Sequence, residues 1–179
     1  MPLPKGFGSV GDTVNKHGQE GAYLFSGILG ALIVLYGLTQ SQAHLYYVVG
    51  ASFMLATAIF FKLTYFVALE MILIAGHGAV LLGIGAVSQA FLPILLCLQL
   101  LFYYLLSGQL TNIFRIIGIL GIALLSIAFS YDDVWVFFFG SLAVTIFSFY
   151  QVYRGRLVAL LWAVLNTVFV FFSLFKLIL

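Results

Sequence analysis

The tetrapeptide Gly-Ile-Leu-Gly occurs twice, at 27–30 and at 118–121, and each copy opens an apolar stretch followed by two more at similar spacing. Gly50 falls in the first set where Gly140 falls in the second, and the segment around Glu70 falls where the segment around Trp162 falls. One further apolar stretch, 91–107, has no counterpart and lies between the two sets. The chain therefore reads as three helices, one linker helix and three helices. A single linker crossing brings the second set into a membrane in the same orientation as the first. Parallel repeats of this kind are a construction that transporters use, with the binding site between the halves.

The solvent for such a chain must be lipid. It is 64% hydrophobic and 7% charged, against roughly 25% charged residues in a soluble domain. No polar surface remains to face water. The net charge of +2 is too small to suggest nucleic acid. The single cysteine, Cys97, lies in an apolar run, so neither an internal disulfide nor a cysteine-based metal site can be assembled. No cofactor is called for.

A helix needs about 20 apolar residues to cross the hydrocarbon, which is ~30 Å thick. The expected spans are 22–39, 44–62, 65–87, 91–107, 112–130, 133–152 and 157–179. Helices are required because an open strand would leave backbone groups unpaired in lipid. The fold class is thus all-α integral membrane, with seven transmembrane helices as two parallel three-helix repeats. Residues 1–21 form a polar N-terminal extension without the pattern of a cleavable signal, 22–87 the first repeat, 88–111 the linker helix and its flanks, and 112–179 the second repeat. The connecting loops are short, which makes neighbouring helices antiparallel. With seven spans, Lys5, Lys16, Lys62, Arg115, Arg154 and Arg156 fall on one side, and Asp132 and Asp133 on the other. Only Lys176 departs, and it can snorkel outward. The positive-inside rule then puts the N-terminus in the cytoplasm and the C-terminus outside, in the cell (inner) membrane.

Polar residues inside the spans are the site candidates. Glu70 is the only acidic side chain well inside a span, and His77 follows seven residues later on the same helix face. A charge there costs from ~3 to more than 10 kcal/mol, so Glu70 is protonated, paired, or facing a wet cavity. One pairing to expect is with Arg115 or Arg156 at the cytoplasmic rim. His77 is expected close to the bilayer midplane. Trp162 and Asn166, spaced i, i+4, share a face of the last span. A ring beside an amide suits a flat heteroaromatic or a sugar, although an intramembrane Asn also serves as glue between helices. The glycines of spans one and three, Gly27, Gly30, Gly37, Gly76, Gly78, Gly83 and Gly85, point to close helix packing. Tyr46, Tyr47, Tyr103, Tyr104 and Trp135 are expected as interfacial anchors.

The last repeat carries Gln151, then Arg154-Gly-Arg156, then Trp162 and Asn166. This stretch resembles the PnuC-type vitamin B3 transporters, in which a Gln-containing helix end and a basic loop precede a helix with the pattern W-x-x-W-x-x-x-N. Trp162 matches the second Trp and Asn166 the Asn, while Ala159 stands at the first Trp. The resemblance covers roughly the last thirty residues. It implies the three-plus-one-plus-three build shared with the sugar-carrying SWEETs, and a facilitator for nicotinamide riboside or a similar nucleoside-like solute.

Three functions compete on these residues. A facilitative transporter of a small polar solute would use Glu70, His77, Trp162 and Asn166 as its binding site. Its partners would be that solute and membrane lipid, with a homo-oligomer or a larger membrane complex also open. The alternative is a non-catalytic structural or assembly subunit of such a complex. An enzyme is not expected, since no convergent catalytic set can be assembled, and Lys176 is too near the chain end for a retinal Schiff base.

Overall fold

The computed structural model describes residues 10–110 and 112–179. Lys5 and the first part of the polar extension lie outside the described residues. Seven α-helices follow in order: α1 (Val10–Gly37), α2 (Ala43–Phe60), α3 (Thr64–Leu81), α4 (Ala86–Leu106), α5 (Ile113–Tyr131), α6 (Val134–Tyr153) and α7 (Leu160–Ile178), the last preceded by a 3₁₀ turn at Leu157–Ala159. No strand occurs among the described residues. Six of the helices are long and apolar enough to cross a membrane, while the apolar part of α5, Ile113–Phe129, is shorter.

Several boundaries differ from the sequence expectation, each for a local reason. The extension is helical from Val10 and runs unbroken into the first span. Span three stops at Leu81, because Gly83 takes a left-handed φ of 66° and turns the chain out of the helix. Residues 88–90 then belong to α4 and not to a loop. Asn112 caps α5 by accepting a hydrogen bond from the Phe114 N–H at 2.9 Å, and Asp133 caps α6 by accepting from Val136 at 3.0 Å. Between those two helices Asp132 adopts the left-handed conformation, with φ of 53°.

The helices pack as neighbours in sequence. α2 lies between α1 and α3, α6 lies between α5 and α7, and α4 packs on α3 and α5. Two further seams close the bundle, α3 against α5 and α1 against α7. Small residues set the closest approaches. A Cβ on Gly27 would fall 3.0 Å from the Thr57 hydroxyl, one on Gly30 2.9 Å from Met54, and one on Gly50 2.5 Å from Val34. In the α5–α6 pair, a Cβ on Gly118 would fall 2.9 Å from Phe147, one on Gly121 2.9 Å from Val144, and one on Gly140 2.8 Å from the Leu125 backbone nitrogen. The glycines of α3 and of the turn after it do not play this part. Gly78, Gly83 and Gly85 have nothing within 4 Å of such a Cβ, and Gly76 meets only Pro93 of α4.

The turns after α2 and α6 are alike as well. Lys62 and Gly155 both have positive φ, and the next residue donates its N–H back into the helix, Leu63 to Ala58 at 2.9 Å and Arg156 to Gln151 at 3.0 Å. Two of the tyrosines expected at the interface face inward instead. Tyr47 and Tyr104 are buried, whereas Tyr103 and Trp135 are exposed. Both inward rings pack on inner side chains, Tyr47 tilted against His77 and Phe129, and Tyr104 under the Arg115 guanidinium.

Candidate functional site: a buried cavity where α3 meets α7

Glu70 and His77 lie on α3, and Trp162 and Asn166 on α7; all four are buried. Together with Tyr47 of α2 and Phe129 of α5 they line one cavity of about 30 Å³. The seven-residue spacing on α3 and the four-residue spacing on α7 each present two polar groups on one face, and the two faces meet.

The Glu70 carboxylate accepts a hydrogen bond from the Trp162 indole N–H at 2.6 Å. No arginine reaches it. The only ion pair among the described residues joins His17 and Glu20 on α1. The expected rim pairing with Arg115 or Arg156 is therefore replaced by a neutral donor from the last helix. The reason is depth: Glu70 lies within a turn of the middle of α3, whereas Arg115 sits at the start of α5, donates to the Gln109 carbonyl at 2.5 Å and stacks over Tyr104. A buried carboxyl with no cation beside it is costly as an anion.

His77 lies one turn from the end of α3. Its Nδ1 is 3.0 Å from Nδ1 of His44, at the start of α2. Only one of the two nitrogens can carry the proton in that bond, so the rings hold opposite tautomers at Nδ1. Asn166 donates to the Trp162 carbonyl at 3.0 Å, which orients its amide along the cavity wall.

Aromatic rings from Tyr47, Phe129 and Trp162 line the cavity, and further rings pack behind them. Toward the Asp132 end, His77 packs on Tyr47 and Phe129, with ring centroids 4.9 Å and 4.4 Å away. Toward the Lys62 end, Phe66 stacks on Trp162 at 4.3 Å, and Tyr65, beside Phe147, donates its hydroxyl to the Gly118 carbonyl at 2.8 Å. A cavity of this size holds a water molecule or two, not a nucleoside.

A larger space opens beyond Tyr47 and Phe129. It measures about 410 Å³ and is lined by His44, Gln40, Asp132, Asp133 and Lys176 among others. That volume is in the range of small-molecule sites, roughly 300–1,000 Å³. Tyr47 and Phe129 line both spaces and separate them. The arrangement is a polar vestibule at one end, an aromatic constriction, and a buried cavity whose mostly apolar walls carry Glu70, His77 and Asn166.

Sequence reasoning missed His44, Tyr47, Phe66 and Phe129. The one available signal was the i, i+3 spacing of His44 and Tyr47, which puts both on one face of α2. Nothing in the chain tied that face to His77, 33 positions away.

No protein-family model matches the chain, and no curated protein or solved structure matches it.

Proposed function

We propose that this chain is a facilitative membrane carrier of a small polar solute, working by alternating access around the Glu70–Trp162 cavity. The observation that carries the reading is convergence. Four polar side chains from two helices far apart in sequence line one buried cavity, and a solute-sized vestibule leads to it.

The build proposed is two parallel three-helix repeats, α1–α3 and α5–α7, joined by α4, with all seven helices crossing the bilayer. Packing in register supports it. Gly27, Gly30 and Val34 meet Thr57, Met54 and Gly50; with the same spacings, Gly118, Gly121 and Leu125 meet Phe147, Val144 and Gly140. The seams obey the same exchange, because α3 touches α5 as α7 touches α1. Rocking of one trio against the other would open the Phe66–Trp162 side while closing the vestibule. Lys62, Arg115, Arg154 and Arg156 lie at the helix ends away from the vestibule, which favours a cytoplasmic N-terminus and an outward-facing vestibule.

The resemblance of the last repeat to the PnuC-type transporters makes nicotinamide riboside the first solute to try, followed by nucleosides and sugars. Purified protein in proteoliposomes should take up one of these in labelled form above protein-free vesicles, and Asn166→Leu should abolish that uptake. Uptake that is unchanged in Asn166→Leu removes the residue from the site, and no uptake of any of them removes the carrier reading.

A structural or assembly subunit is the second reading. It is favoured by an apolar groove of about 440 Å³ between α1 and α7, walled by Leu24, Ile28, Leu161 and Val164 among others, which offers a seat for a further helix. Stable behaviour of the purified chain on its own, with solute binding, decides against it.

A further inference from the structure

The carboxyl of Glu70 has no fixed charge to balance it, yet a chain of titratable groups leads to it from the vestibule. We infer that Glu70 is a proton-binding site served from one side only, through His44 and His77. The inference deepens the carrier reading of the same cavity and rests on it for the proton's purpose, but its test needs no solute.

Geometry supplies each link. His44 lines the vestibule, and His77 lines the buried cavity. Their Nδ1 atoms are 3.0 Å apart, so the pair bridges the aromatic constriction by a direct hydrogen bond. The cavity is lined by both His77 and Glu70, and at about 30 Å³ it has room for a water molecule, for which the Glu70 carboxyl, the His77 ring and the Asn166 amide are the polar partners among mostly apolar walls. On the other side of Glu70, the stacked Phe66 and Trp162 rings and the Tyr65–Phe147 pair offer no comparable relay.

The step balances as follows. A vestibule hydronium gives a proton to the free ring nitrogen of His44. The Nδ1 proton of His44 passes to Nδ1 of His77. His77 releases the proton on its other nitrogen to cavity water, which delivers it to the Glu70 carboxylate. The net change is one hydronium and one carboxylate becoming one water and one carboxylic acid. Both imidazoles end neutral but in the opposite tautomer. They must reset before a second proton follows, so the route loads a site and is not a channel.

The groups that could compete are few. α2 presents Tyr47 and His44, and α3 carries Tyr65 five residues before Glu70. α4 presents Cys97 and Tyr104 toward Tyr65, and Arg115 of α5 lies over Tyr104. The α5–α6 turn brings Asp132 and Asp133 to the vestibule, and α7 brings Lys176. Of these, only His44 and His77 are both hydrogen-bonded to each other and placed between vestibule and cavity.

The indole N–H bonded to Glu70 is a built-in reporter. The chain has two tryptophans, and Trp135 is exposed, so Trp135→Phe leaves Trp162 alone. In proteoliposomes of the full chain, Trp162 emission should titrate in a single step with pH. Glu70→Gln, which keeps an acceptor for the indole, should fold and give a flat response. After a pH jump on the vestibule side the signal should change quickly; after a jump on the other side it should lag. His44→Phe and His77→Phe should reach the same end point but slow the vestibule-side response by roughly tenfold or more. A flat titration in the Trp135→Phe protein overturns the proton site. Equal rates from both sides, or histidine variants as fast as their parent, overturn the route. A proton signal without solute uptake would leave the inference standing and remove the carrier; uptake with a flat titration would do the reverse.

Discussion

The bond between Trp162 and Glu70 joins the two residues on which the cavity depends, one from each half of the chain. Its removal leaves a buried acceptor without a donor, which costs about 1–3 kcal/mol. Trp162→Phe should therefore lower the thermal midpoint of the purified protein. Glu70→Gln should lower it less, since the amide oxygen still accepts from the indole at the 2.6 Å position. Equal loss in the two variants would mean that the amide does not replace the carboxylate as the indole's acceptor. At this scale the sequence was partly legible. Isolated polar residues in apolar runs marked Glu70, His77, Trp162 and Asn166 as candidates, because lipid makes such residues expensive. Their partners were not legible. His44 sits at a helix start, where a histidine is unremarkable, and Tyr47 looks like any interfacial aromatic until the fold turns it inward against His77.

Among the elements, the glycines separate packing from turning. Gly50→Ala would place a methyl group 2.5 Å from Val34 and 2.6 Å from the Gly30 carbonyl oxygen. Helices α1 and α2 would have to move apart, at about 1–3 kcal/mol for an overpacked core. Gly78→Ala meets nothing within 4 Å, and alanine is better than glycine within a helix by roughly 0.5–1 kcal/mol. The first variant should melt earlier than the parent and the second no earlier, as read by thermal unfolding in detergent. The GILG copies carried this information in the sequence, because glycine at helical spacing predicts close approach. The equal appearance of Gly76, Gly78, Gly83 and Gly85 misled, since spacing alone does not say whether a face has a neighbour. Helix ends followed the same division. Asn112 and Asp133 are readable caps, but the first turns of α1 were hidden by polar residues that form a helix without being apolar.

For the whole molecule, alternating helix direction sets the two ends apart. Tyr153 at the end of α6 and Tyr131 at the end of α5 are both exposed, at 87% and 65%, and belong to opposite ends of the bundle. In a Cys97→Ala background, a membrane-impermeant maleimide added to intact cells should label Tyr131→Cys and spare Tyr153→Cys until the membrane is permeabilised. Labelling of both alike would refute the orientation and, with it, the outward-facing vestibule. The charge asymmetry was fully visible in the sequence. The vestibule was not, because its walls come from the ends of α1, α2, α5, α6 and α7, which only the folded bundle assembles.

The cavity beneath the aromatic constriction has room for water and little else. If the chain is the carrier proposed above, seating the cargo and moving the helices are a single event, because the pocket is created only as it is filled. Part of the energy of recognition is then absorbed by reshaping the protein, and the measured affinity falls short of what the contacts alone would give. A substitution that stiffens the bundle far from the cargo should weaken its capture, and one that loosens the bundle should favour it.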